Sequence, residues 1–372
     1  MAETLPVMRT GIPVADPRRG VHARRLAIDA AIERVVDSGR FVRGPEHEAF
    51  EAELATFLSV DHCAGVASGT NALELALAAV GCTAGDEVVT QANAGGYAAA
   101  AARRLGLDVR YADVDPATLG LTAATVEPIV TDATRAVVTT HLYGLMCDVE
   151  GIVELCHDRR IALVEDCAQA AGAQRNGRRA GSFGAAAAFS FYPTKNLAAL
   201  GDGGAVATND AAVDERVRLL RQYGWERTYH VAVVGGGNSR LDEIQAAVLR
   251  VELPGLDERN ARRREIVGRY ADALRPAAGR LVAREGEEYV AHLAVIEAGD
   301  RDRAVAVLER AGISTDVHYP VADHRQPAWA EGYAGVSLPV TEHAVGHVLT
   351  VPCFPELTTG EVDRVCEALR GI

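Results

Sequence analysis

Ala162-Leu-Val-Glu-Asp166-Cys-Ala-Gln169 is an apolar run that ends in two acids. Asp166 is followed 29 residues later by the lysine of Phe189-Ser-Phe-Tyr-Pro-Thr-Lys195-Asn196, where a second apolar run breaks into the glycine-rich loop Gly201-Asp-Gly-Gly204. Each run reads as a strand with a chemical group at its carboxyl end, which is where open α/β sheets place their ligand-binding residues. Outward from this pair, candidate strands fall at 63–67, 87–91, 109–112, 136–140, 162–165, 187–191 and 205–208. Helical stretches at 71–80, 96–105, 149–159 and 211–223 lie between them. Such alternation predicts a mainly parallel sheet with helices on both faces.

Two amphipathic helices, 21–38 and 46–58, precede the sheet, and two long ones, 241–253 and 256–274, follow it. Beyond them, strands at 289–296 and 314–317 and helices at 302–310 and 361–369 predict a smaller α/β unit. The expected division is a large domain, 1–254, and a small C-terminal domain, 255–372.

Lys195 is the only lysine; the other 37 of the 38 basic Lys+Arg residues are arginine. Arginine replaces lysine as a surface charge but stays protonated and cannot serve as an amine nucleophile. A GC-rich genome could leave one lysine by chance, and Asp166 alone could be a loop acid or a helix cap. Together they meet a specific need. An aldehyde cofactor with a pyridine ring requires an amine for its Schiff base and a carboxylate that keeps the ring nitrogen protonated. Ser68-Gly-Thr70-Asn71-Ala-Leu-Glu74 follows a strand and opens a helix, with Asn71 and Glu74 at capping-box spacing. Its free N–H groups and the hydroxyls of Ser68 and Thr70 suit a phosphate, and Ser190 can add another hydroxyl.

The chain has 372 residues, 48% hydrophobic and 24% charged, with a net charge of −13. That charge excludes a phosphate backbone as partner but not a phosphorylated small molecule. Residues 1–11 carry no leader pattern and no run has the length of a membrane span. Seven scattered cysteines, none in a C-x-x-C pair, predict reduced thiols in the cytoplasm.

These segments, with Arg221-Gln-Tyr-Gly224, Gly237-Asn-Ser-Arg-Leu-Asp242, Gln245-Ala-Ala-Val-Leu249 and Val317-His-Tyr-Pro320, resemble the sugar aminotransferases related to DegT/DnrJ/EryC1/StrS. That family uses pyridoxal 5'-phosphate on the aspartate aminotransferase-like fold (fold type I), and the likeness covers nearly the whole chain. The resemblance implies that Lys195 carries the Schiff base, Asp166 pairs with the pyridine nitrogen and Gln169 lies near the phenolic oxygen. Gly69, Thr70, Asn71 and Ser190 would hold the phosphate, with Asn238 reaching it from the partner subunit of a homodimer. His318 and Tyr319 are expected near a nucleotide-sugar pocket, and Arg240 near a diphosphate or a donor carboxylate.

One segment departs from the family pattern. Where many members have Pro-Ser-Tyr/Phe-Thr-Phe, this chain has Gln91-Ala-Asn-Ala-Gly-Gly-Tyr97, so Tyr97 either stacks on the ring or lines the sugar pocket. This version resembles the branch that aminates C3 of dTDP-linked 3-keto-6-deoxyhexoses in antibiotic sugar pathways, with L-glutamate as donor. The alternatives are amination at C4, a keto-cyclitol acceptor, or a regulatory protein that keeps the cofactor fold without turnover. Members that remove a sugar hydroxyl have histidine where this chain has Lys195. No metal is expected, since His343 and His347 lack a third ligand. Gly235–Gly237 is not a dinucleotide fingerprint, and Arg262–Arg264 reads as a solvated helix face.

Overall fold

The computed structural model describes residues 11–274, 279–282 and 286–372. The leader reading of 1–11 therefore lies, apart from Gly11, outside the described residues. Seven strands form the central sheet: β1 His62–Val66, β2 Glu87–Gln91, β3 Asp108–Ala112, β4 Thr134–Thr140, β5 Ala162–Asp166, β6 Ala186–Ser190 and β7 Gly204–Thr208. Their order is β1-β7-β6-β5-β4-β2-β3. The five from β6 to β3 run parallel, and β7 pairs antiparallel with both β6 and β1.

The strands read as near-continuous apolar runs because both faces of the sheet are covered. Along β5, Leu163 packs into the cluster with Phe50, Ile152 and Phe191, whereas Val164 packs on the opposite side with Leu73, Ala76 and Val217. Period-two alternation therefore sends Glu165 and Asp166 to opposite faces as well. Register sets Asp166 beside Thr140 of β4 and Ala188 of β6. The catalytic candidates thus sit at the carboxyl edge of the central strands, on a rigid floor.

A second sheet, Gly279–Leu281, Ala294–Ala298 and Val348–Val351, is antiparallel and packs with the helices Leu256–Ala273 and Thr359–Arg370. We propose the domain division at the 3₁₀ turn Leu253–Gly255. Ile12 reaches across that division to pair with Ile313.

Several expectations need correction. The strand expected at 289–296 begins only at Ala294, because Ala291 has a positive φ of 47° that interrupts extended backbone. Residues 314–317 form no strand. Ser314 N–H binds Ile12 while Asp316 bridges to Thr350, so successive residues pair with different neighbours. The helix expected at 21–38 is two helices, Pro17–Ala23 and Arg25–Ser38, broken at Arg24, whose guanidinium turns to Glu252 at 2.7 Å. The helix expected at 211–223 ends at Leu220, before Tyr223 at a φ of 60°.

Candidate active site

Lys195 and Asp166 face one cavity of about 520 Å³. Asp166 is 3% exposed, with Oδ2 accepting from the Thr140 hydroxyl at 3.0 Å and Oδ1 from the Ala168 amide at 3.1 Å. Burial pushes its carboxyl above the usual range, against the pull of Ala168, Thr140 and the Lys195 charge. The Lys195 side chain lines the cavity, and burial lowers its amine to about 8, with Asp166 opposing. No hydrogen bond holds its Nζ among the described residues. A lysine with a weakened proton and an acid kept out of water is the pattern of a site that does proton and amine chemistry.

The opposite wall is built by a chain of contacts. Gln169 accepts the Tyr143 amide at 2.6 Å and donates to the Tyr319 hydroxyl at 3.0 Å. The Tyr143 hydroxyl in turn donates to the carbonyl of His318 at 2.7 Å. Tyr319 meets Tyr97 edge to face, with ring centroids 6.1 Å apart. Gly95 permits this approach: at a φ of 74°, a Cβ there would lie 2.9 Å from the Tyr319 ring. His318 is held neutral by burial, and its Nδ1 is 2.9 Å from the Thr350 hydroxyl.

The helix Gly69–Ala79 starts two residues before the sequence reading placed it. Ser68, not Asn71, is the cap and accepts the Asn71 amide at 3.2 Å. The expected Asn71–Glu74 capping box is absent because Asn71 is already inside the first turn, where its side chain meets Glu74 at 3.4 Å. A Cβ at Gly69 would stand 2.5 Å from the Ser190 Cβ, so glycine lets the helix start close against the end of β6. That juxtaposition aims free N–H groups and two hydroxyls, Thr70 and Ser190, into the cavity.

The cavity thus brings together Lys195, Asp166, Gln169, Gly69, Thr70, Ser190, Tyr97, His318 and Tyr319. It leaves out Asn71, Asn238 and Arg240, which line an open crevice on the far side of Ser68 and Thr70. Arg240 donates there to Gln222 at 3.1 Å.

Sequence reasoning missed His292, Asn196, Thr140 and Arg263. Thr140 and Asn196 adjoin recognised segments, but their roles come from register and long-range contacts. The reading of Arg262–Arg264 as solvated fails at Arg263, which is 6% exposed and donates to the Cys353 carbonyl at 2.6 Å. Its helix carries that position inward, between Ala291 and Cys353.

Behind Asp166 lies a buried group of His141, Glu165 and Cys167. Glu165 accepts the amides of Gly181, Phe183 and Gly184 at 2.7–2.9 Å and meets His141 Nε2 at 3.0 Å. The Cys147 amide donates to His141 Nδ1 at 3.3 Å. Both ring nitrogens of His141 and both carboxylate oxygens of Glu165 therefore have partners within the protein. His343 and His347 stack on one another, with ring centroids 4.0 Å apart.

Comparison with known proteins is consistent along the chain. The model of the DegT/DnrJ/EryC1/StrS aminotransferase family matches residues 24–370. The chain is 41% identical to the erythromycin biosynthesis sensory transduction protein EryC1 of Saccharopolyspora erythraea, over 97% of this chain and 99% of that one. It is 42% identical to the dTDP-3-amino-3,4,6-trideoxy-alpha-D-glucose transaminase of Micromonospora megalomicea subsp. nigra, with 94% and 95% covered. Its structure matches that of S. venezuelae DesV in complex with a ketimine intermediate at a TM-score of 0.92 and 40% identity, covering 97% and 98%.

Proposed function

The chain belongs to the DegT/DnrJ/EryC1/StrS aminotransferase family, and from that premise we propose that it moves an amino group from L-glutamate to C3 of a dTDP-linked 3-keto-6-deoxyhexose. It is a pyridoxal 5'-phosphate-dependent sugar aminotransferase with the aspartate aminotransferase-like fold. The observation that carries the residue reading is that the one lysine and a buried aspartate line a single cavity.

The cavity fits the cofactor by its own chemistry. Asp166 offers a buried carboxylate for a ring N–H, and the Gly69–Ser190 approach makes a cradle for a phosphate that a Cβ would fill. When bound, pyridoxal 5'-phosphate supplies an aldehyde for amines and a protonated ring that withdraws electrons. Lys195 would be the residue that holds the group covalently, and its amine, when free, would take and return the α-proton of the donor. Its lowered affinity for protons suits both halves of that exchange. Asp166, steadied by Thr140 and Ala168, would hold the proton of the pyridine nitrogen. Gln169 orients Tyr319, and Tyr97 with His318 borders the sugar side.

Support for C3 and for dTDP comes from the relative's name and from the Ala92–Tyr97 segment, whose paired glycines admit Tyr319 and Asp323. We further propose a homodimer in which the loop of Asn238 approaches the partner's phosphate cradle. The exposed Tyr229, Val231 and Val234 beside that loop support a covered surface there. Arg240, in the crevice with Asn238, would meet the diphosphate or the donor carboxylate. Among the described residues no helix is long and apolar enough to cross a membrane. We place the enzyme in the cytoplasm on its seven unpaired, buried cysteines.

The test is a two-step reaction in solution. L-glutamate should bleach the visible band of the cofactor-loaded protein, and the dTDP-3-keto sugar should restore it and yield the 3-amino product. Amine at C4 would move the assignment to that carbon. A band that persists with every amino donor would favour the regulatory reading, for which the name of the S. erythraea relative is the specific motive.

A further inference from the structure

Three arginines are buried among the described residues, and two of them have an acid. Arg175 meets Glu288 at 2.8 Å, and Arg221 meets Glu51. Arg263 has no carboxylate within ion-pair distance among the described residues, although it is as deeply placed as the others. A guanidinium does not give up its charge, and a buried charge without a counter-charge is strongly destabilising. The question is what Arg263 is kept for.

Its guanidinium is fastened by one nitrogen. Nη1 donates to the Cys353 carbonyl at 2.6 Å and, at 3.4 Å each, to those of Ala291 and His292. Nη1 is the nitrogen on the Cδ side, so the other edge of the plane carries Nε and Nη2. Nε is buried without a hydrogen-bond partner, and Nη2 makes no hydrogen bond among the described residues. Two parallel N–H groups on one edge form the fork that takes both oxygens of a carboxylate. Lys195 and Arg263 both line the main cavity and also a second pocket of about 90 Å³. The other arginines of that pocket are matched: Arg24 and Arg259 meet Glu252 at 2.7 and 3.3 Å, and Arg24 meets Glu356 at 3.6 Å. The Cys353 thiol is pushed up by burial, so it stays neutral and does not balance the charge of Arg263.

We propose that the Nε–Nη2 edge of Arg263 binds a carboxylate of the amino-acid donor. The inference rests on the reading of the chain as an aminotransferase that takes its amino group from L-glutamate. The donor amine must come to the place of Lys195, and glutamate brings one carboxylate on its α-carbon and a second at the end of its side chain. The nucleotide sugar has no such group, so Arg263 serves the donor and not the acceptor. The carbonyls of Ala291, His292 and Cys353 hold Nη1 in place and leave the fork open until the donor arrives.

The two half-reactions of the holoenzyme separate this role from a structural one. In the wild type, bleaching of the visible band is followed with L-glutamate, with L-glutamine (the γ-amide) and with L-isoglutamine (the α-amide). Amidating the carboxylate that meets Arg263 should lower kcat/KM by about 10–100-fold, the value of a hydrogen-bonded charge contact. Loss with isoglutamine assigns the α-carboxylate, and loss with glutamine the γ-carboxylate. Arg263→Gln removes the charge and keeps an amide N–H for the Cys353 carbonyl. In that variant the preference for the acid over the amide should disappear, and the glutamate half-reaction should fall far more than the half-reaction run backwards from the 3-amino sugar. Equal rates with glutamate and both amides in the wild type overturn the proposal whether or not the variant folds. An acid preference retained in Arg263→Gln, or an equal fall in both of its half-reactions, overturns it as well. A wild-type band that no donor bleaches would instead overturn the aminotransferase reading on which the proposal rests.

Discussion

Two buried acids stand side by side on β5, and they lead opposite lives. Behind the strand, Glu165 spends its whole capacity on three amides and His141, so that its carboxyl stays below the usual range despite burial. In front, Asp166 has two hydrogen-bond partners and the Lys195 amine has none among the described residues. The difference separates a fastening from a workplace. A saturated network holds the loop 181–184 and the turn after β4 against the strand, whereas unsatisfied groups around a cavity are kept for something that arrives.

Substitutions can break or sharpen this contrast. The largest effect is expected in front. Asp166→Asn should keep the fold and lower kcat by about 10²–10³-fold, on the order of losing one preorganised charge contact. A variant of near-normal turnover would place Asp166 with the fastenings.

Next comes the back. Glu165→Gln removes the partner of His141 and weakens three amide contacts, so the protein should lose about 3 kcal/mol of stability by urea denaturation at pH 7. Because the folded carboxyl is held below its unfolded value, this contribution is present above the unfolded value and fades as pH falls through the folded one. The penalty of Glu165→Gln should shrink accordingly in acid. A full penalty at low pH would contradict the charge argument.

The smallest effect has the opposite sign. Burial lowers the Lys195 amine from 10.5 to about 8, so between those values the unfolded chain binds more protons and stability rises with pH. Below about 8 the folded, cofactor-free chain bears the full cost of a buried ammonium. Lys195→Met should therefore raise its stability by about 2 kcal/mol at pH 7, after allowance for contact with the cavity, and the gain should vanish above 10.5. A destabilised Lys195→Met protein would make the lysine a structural element.

Much of the front was legible in the sequence. The seven strands were found within two residues, because covered strands are apolar and their ends are marked by polar turns. That Lys195 and Asp166 come together on one cavity followed from one composition count and one strand end. The helix start at Gly69 was read two residues late, since the cap depends on the extended backbone of Ser68 rather than on letter spacing. His292 was illegible: a lone histidine in an apolar run gives no sign that two asparagines, 64 residues apart, will orient it. Arg263 was misread for a related reason, because local pattern records the face of a helix but not what packs against it. The Glu165 fastening was equally hidden, since its partners come from loops that only the folded sheet brings behind β5.

The central claim is that the sole lysine is the residue that binds the cofactor covalently. Borohydride reduction of the cofactor-loaded protein, followed by peptide mass spectrometry, tests it without any assumption about the sugar. The account predicts one phosphopyridoxyl group per chain, on Lys195, and no fixed label in Lys195→Arg. Cofactor retained but unfixed in the wild type, or fixed at another amine, would contradict it.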